Sequence, residues 1–160
     1  MCIRDRPVLT YLANTMRSGE RQIPYSLVTA IDLRAIGVAV DATAANRPIV
    51  LNDWAARGLA VKPGDPLSLE YFVWEDPGRL VTRSADFTVA AVVPIAGPAA
   101  DRDLTPVYPG ISEAATFGDW DPPFPVELKR VRKIDEQYWE QYRPTSNGTN
   151  AFGVVRYCSQ

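Results

Sequence analysis

The 160 residues carry 17 Lys and Arg against 19 Asp and Glu, a net charge of −2, and 46% are apolar. That is the make-up of one globular domain, or one with a small appendage, and it argues against a nucleic-acid binder, which needs a basic face to neutralise phosphates. The absence of histidine removes Ser-His-Asp and Cys-His catalysis, HExxH zinc sites and imidazole acid–base chemistry. In chain order, Pro7–Met16 and Arg21–Leu33 are extended segments joined at Ser18-Gly19, a turn signal, and together predict a long antiparallel hairpin. Residues 37–48 are small and polar and predict a connector. Ile49–Leu51, branched and apolar, predict a buried strand.

Asn52 is placed to cap a helix over Asp53–Ala60, with Asp53 at the positive end of its dipole. Leu51, Ala55 and Leu59 recur at steps of four and give that helix one narrow apolar face. Lys62-Pro-Gly-Asp65 reverses the chain, because Pro fixes φ and Gly accepts a positive one. Leu67, Leu69, Tyr71 and Val73 then alternate with Ser68 and Glu70, as on a strand with one buried face. Glu75-Asp-Pro-Gly78 is a second turn. Arg79–Val93 resumes as strand, with Phe87, Val89, Ala91 and Val93 expected on one face, so Leu67–Trp74 and Arg79–Val93 predict a second hairpin.

Residues 94–125 are rich in Pro, Gly and Asp and predict an irregular insertion, with one short helix at Ser112–Phe117 capped by Ser112. Insertions of that length in a compact domain tend to be functional or interdomain. Val126–Ile134 is expected to return to the sheet as a strand. Asp135 is expected to cap a helix to about Tyr142, with Tyr138, Trp139 and Tyr142 as packing residues on a shared side. Fourteen prolines spread through these connections fit β-structure with rigid turns. No apolar run approaches the ~18 residues that a bilayer crossing needs.

Asp101 with Asp103 and Asp119 with Asp121 are spaced carboxylates of the kind that bind Ca²⁺ or Mg²⁺. They lack the further carboxylates of a recognised loop, and read as turn caps and exposed loop charges. Trp120 and Phe124, braced by prolines, have two readings: a contact surface for a partner, with Asp119 and Asp121 beside it, or rings folded back on the core. Lys129-Arg-Val-Arg-Lys133 reads as the solvated face of the strand expected there. Cys2 and Cys158 form no metal-binding spacing, and no metal or cofactor site is predicted. Asn147-Gly-Thr149 matches a glycosylation sequon and reads as incidental.

The run Ile49-Val-Leu-Asn-Asp-Trp-Ala-Ala-Arg-Gly-Leu-Ala-Val-Lys-Pro-Gly-Asp-Pro-Leu-Ser-Leu-Glu-Tyr-Phe72 resembles the extracytoplasmic domain of FtsX-like ABC-transporter permeases, the MacB-like periplasmic core domain. Asp103-Leu-Thr-Pro106, Pro109-Gly-Ile111, Asp119-Trp-Asp-Pro-Pro-Phe-Pro125 and Asp135-Glu-Gln-Tyr-Trp-Glu-Gln-Tyr-Arg143 resemble further blocks of the same permeases, in the same order. The resemblance covers roughly residues 7–143. It implies an α+β domain, mainly an antiparallel or mixed sheet from two hairpins with short flanking helices. It also implies a place at the bacterial inner membrane, facing the periplasm, between transmembrane helices of the same permease that this chain lacks.

On that reading a separate cytoplasmic ATPase subunit or domain hydrolyses ATP. This domain, without enzymatic activity, passes the conformational change on to substrate export, with a periplasmic adaptor as a further partner. Trp120, Phe124, Asp119 and Asp121 are then the expected partner contacts. A periplasmic location would permit a Cys2–Cys158 disulfide, which is not expected. Met1–Arg6 reads as an adapter-derived leader, and residues 144–160 as a divergent tail, so the whole reads as a fragment. Two rivals stand beside this: a hydrolase or carbohydrate-binding domain using the acidic pairs, and a standalone protein-binding adaptor.

Overall fold

The computed structural model describes residues 9–39, 47–104, 107–146 and 149–154. Six strands form a closed barrel: β1 (Leu9–Ser18), β2 (Arg21–Ile31), β3 (Pro48–Asn52), β4 (Pro66–Glu75), β5 (Arg79–Val93) and β6 (Thr149–Val154). Two α-helices, α1 (Asp53–Leu59) and α2 (Lys133–Ser146), make the architecture α+β. The expected leader, both cysteines and the first two residues of the sequon lie outside the described residues.

Both expected hairpins form. β1 and β2 turn at Gly19, whose φ of 58° suits a residue without Cβ, and pair from Leu9↔Ala30 to Ser18↔Arg21. β4 and β5 pair without interruption from Pro66↔Thr88 to Glu75↔Arg79. Around the barrel the order is β1-β2-β6-β3-β5-β4, and β4 returns to β1 through Thr15↔Glu70, Met16↔Leu69 and Arg17↔Ser68. β2 with β6 and β3 with β5 run parallel. The Lys62–Asp65 turn is fastened to β5 by the Gly64 N–H donating to Val89 O at 2.7 Å and the Val89 N–H donating to Asp65 O at 2.9 Å. That anchorage sets where β4 begins.

All six strands feed one interior. Ala13, Met16, Ile23, Val28, Ile49, Leu51, Leu67, Leu69, Val89 and Ala151 are buried together, and α1 adds Ala55, Ala56 and Leu59. Each fully buried leucine or isoleucine contributes about 1.5–3 kcal/mol relative to exposure. A second buried cluster lies between β2 and the 108–139 region and contains Tyr25, Leu27, Ile111, Phe117, Trp120 and Trp139. A third joins Ile31, Val50 and Ala99 to the 3-10 turn Leu33–Ile36, which Asp32 caps.

The structure differs from the sequence expectation in several places. β6, where no strand was predicted, lies between β2 and β3 and pairs with both. Val126–Ile134 is not a strand: it holds a 3-10 turn at Leu128–Arg130, and α2 begins at Lys133. Among the described residues no strand of the barrel pairs with this segment. Ser112–Phe117 is not a helix; the Ser112 Oγ accepts from the Tyr108 N–H at 2.8 Å, an alternative to helical bonding, and Phe117 opens a 3-10 turn to Asp119. The single apolar face expected on β5 breaks at Ala90, where the register steps from Ile49↔Val89 to Val50↔Ala91. One extra residue reverses the alternation, so Phe87, Val89 and Val92 meet the interior while Ala91 and Val93 meet the third cluster.

Helix ends follow local chemistry. The Asn52 Oδ1 accepts from the Ala55 N–H at 2.8 Å, the expected cap of α1. Its Nδ2 donates to the Tyr138 hydroxyl at 2.9 Å, so one buried amide ties α1 to α2. Burial drives the Tyr138 phenol well above its ordinary pKa, against the opposing hydrogen bond from Asn52, which keeps the ring neutral. Asp135 sits one turn inside α2 rather than at its cap. Its carboxylate accepts from the Arg132 N–H at 2.9 Å and grips the Arg132 guanidinium at 2.9 and 2.8 Å, the returning half of a capping box. Replacing Asn52→Ala removes both bonds and is expected to lower stability by about 2 kcal/mol, read as a reduced urea midpoint with unchanged m-value.

Candidate functional site

β1 and β4 pair only at their near ends. Beyond Thr15↔Glu70 the strands part, although β1 stays paired with β2 back to Leu9 and β4 with β5 out to Glu75. The parted edges enclose a cleft of about 780 Å³, within the range that holds a bound ligand. Leu9–Leu12 and Asn14 line it from β1, Tyr71–Trp74 and Leu80 from the facing hairpin, and Tyr108 and Phe124 from the covering segment. Consecutive residues of both strands reach the cleft, so their backbone edges face it as well as their side chains.

Aromatic rings brace the parted strands. Tyr11 and Tyr71 meet edge to face with centroids 6.0 Å apart, and Phe72 and Phe124 do the same at 6.3 Å. Burial, and then the neighbouring Tyr71, raise the Tyr11 pKa; burial alone raises that of Tyr108. The Tyr108 hydroxyl donates to Thr10 O, and the Thr10 Oγ1 donates to Leu104 O at 2.8 Å, fastening the covering segment to β1. At the far end of the hairpin Glu75 pairs with Arg83 and, at 3.4 Å, with Arg79. Those two guanidiniums, Arg83 first, hold its carboxyl below the usual range.

Asn14 is the unusual group. It is 7% exposed, lines the cleft, and its Oδ1 has no hydrogen-bond partner among the described residues. Tyr25, at the position of β2 opposite it, has φ of 50°, and no Asn14–Tyr25 pair forms in the ladder. A left-handed conformation costs a bulky residue about 1–2 kcal/mol. It turns the Tyr25 ring out of the barrel into the second cluster, where its hydroxyl accepts from the Glu127 N–H at 2.6 Å and the Arg130 guanidinium lies 5.5 Å over the ring.

The four expected contact residues do not come together. Trp120 is 7% exposed and stacks on Phe117 at 4.4 Å, with Trp139 edge-on at 5.3 Å, so its ring is core. Phe124 alone reaches the cleft. Asp119 is exposed and accepts from the Thr116 hydroxyl at 2.9 Å. Asp121 is exposed too, its N–H donating to Gly110 O at 2.8 Å. Gly110 (φ 80°) is required there, because a Cβ would lie 2.1 Å from Asp121 O. Asp101 is exposed and accepts from the Asp103 N–H at 2.9 Å, a local turn. Among the described residues no three His, Cys, Asp or Glu gather as metal ligands.

The basic run divides. Arg130 reaches the Thr15 hydroxyl at 2.5 Å, Arg132 pairs with Asp135, and Lys129 stays exposed beside Glu127. Sequence reasoning missed the cleft. The visible signal was Tyr71-Phe-Val-Trp74, four apolar residues in succession that end the alternation with Ser68 and Glu70; Asn14 gave none.

Compared with known protein families and with curated sequences, the chain gives no match. No helix among the described residues is long and apolar enough to cross a membrane.

Proposed function

We propose that this chain is a non-catalytic, periplasm-facing domain of an FtsX-like ABC-transporter permease, of the MacB-like type. It passes motion of the permease's own membrane helices, driven by a cytoplasmic ATPase, to partners outside the membrane. The ordered sequence blocks between Ile49 and Arg143 support the family. The observation that carries the mechanical role is the shared interior: side chains from all six strands and α1 meet in one cluster. Tyr108, Tyr25 and Asn52 fasten the covering segment and α2 to that barrel. A body packed at interior density moves as a unit, which is what a lever between membrane helices requires.

The cleft favours a second reading, a protein-binding adaptor, since it offers a contact surface that needs no membrane partner. The hydrolase reading has less support: Asp101, Asp103, Asp119 and Asp121 are exposed and none lines the cleft.

The test is to express the intact parent gene in its own host. The permease reading expects the product in the inner membrane, co-purifying with an ATPase, with this domain cut by protease added to spheroplasts. A freely secreted product overturns it.

A further inference from the structure

We propose that the cleft between β1 and β4 binds an uncharged, extended polypeptide segment, which adds as a strand to the free edge of β4. Among the described residues the cleft-facing edge of β4 from Tyr71 to Trp74 has no backbone partner, while its other edge is fully paired with β5. Such an edge presents alternating donors and acceptors that an extended peptide satisfies, with side-chain pockets alternating above and below. Here Phe72 and Trp74 lie on one side of the strand and Tyr71 and Val73 on the other.

The opposite wall differs. Thr10 O is already engaged by Tyr108, so β1 is the weaker partner and contributes mainly the amide of Asn14. Its unpartnered Oδ1 in a 7% exposed side chain is the polar group that a peptide N–H from the occupant would satisfy. Among the described residues none that lines the cleft is charged, which matches an uncharged occupant and rejects an acidic or basic one through the cost of desolvating it. Trp74, 67% exposed, and Leu9, 65% exposed, widen the apolar entrance. The occupant proposed is a segment of another polypeptide; a charged run such as Met1-Cys-Ile-Arg-Asp-Arg6 matches the uncharged lining poorly.

The experiment uses the full chain and a capped hexapeptide of alternating threonine and valine. Two further probes are the same hexapeptide methylated on alternate amide nitrogens, and monomeric octyl glucoside. Binding is followed by amide hydrogen exchange. The hexapeptide is expected to slow exchange of the cleft-facing amides of Tyr71–Trp74, and the methylated analogue, unable to complete the ladder, to bind about tenfold more weakly.

Trp74→Lys, at an exposed position that leaves the fold intact, is expected to weaken the hexapeptide several-fold. Asn14→Leu is expected to weaken it while raising thermal stability, since it removes an unsatisfied buried group. Equal binding of both peptides, protection by octyl glucoside alone, or no effect at about 1 mM hexapeptide overturns the proposal. Peptide capture by this chain needs no membrane helices, so its failure leaves the permease reading to its own test.

Discussion

A chain ended after Ser146 is expected to lose cooperative unfolding altogether. β2 and β3 do not pair with each other; β6 joins them, meeting β2 from Leu27↔Thr149 to Ile31↔Val154 and β3 from Ile49↔Gly153 to Leu51↔Ala151. Without it two strand edges face each other unpaired, and the fully buried Ala151 leaves a gap in the interior cluster. Unpaired buried backbone groups cost about 1–3 kcal/mol each, and several of them exceed the 5–15 kcal/mol that typically holds a domain together. Circular dichroism and urea titration read the result. Ala151→Glu, which puts a carboxylate into the same place, is expected to do the same in the full-length chain. A truncated chain with the melting curve of the intact one would contradict this.

The second large effect is at Trp120. Trp120→Ala is expected to cost about 3–5 kcal/mol, because the indole is a buried wall shared by Phe117, Trp139 and Tyr25. Trp120→Phe is expected to cost far less, since among the described residues the indole Nε1 makes no hydrogen bond that the phenyl ring would forfeit. Asp119→Asn and Asp121→Asn, on the flanking exposed residues, are expected to stay within about 0.5 kcal/mol. The set separates core from contact surface: a partner-facing tryptophan would leave stability nearly unchanged in all four variants. Chemical denaturation of the purified chain is sufficient.

Much of the fold was legible because its signals are local. Gly19, Gly64 and Gly78 sit at the three turns, the alternation from Leu67 to Glu70 sets the buried face of β4, and Asn52 caps the helix it precedes. What failed depends on distant partners. β6 is short and contains Asn150 and Gly153, and only its pairing with Val28 and Leu51, far earlier in the chain, makes it a strand. Val126–Ile134 carries a plausible strand pattern, but it turns through a 3-10 segment at Leu128–Arg130 instead, and Tyr25 and Thr15, far earlier in the chain, hold Glu127 and Arg130 there. The reversal at Ala90 is a bulge set by β3, and no periodicity within β5 announces it.

The same division holds for the site. Of the two rings in the Pro-rich stretch, Phe124 lines the cleft, whereas Trp120 turns into the core. Asn14 matters because two strands separate beside it and its amide is left without a partner. Neither fact is written in the residues around it.

Native-state amide hydrogen exchange of the full chain tests the central claim, a single rigid barrel, most directly. Ala151 and Gly153 in β6 are expected to exchange with the same free energy as Val28 and Leu51, all through global unfolding. The cleft-facing amides of Tyr71–Trp74 should exchange much faster. If β6 opens at a small fraction of the global free energy while β2 and β3 stay protected, the barrel is not one body and the lever reading fails with it.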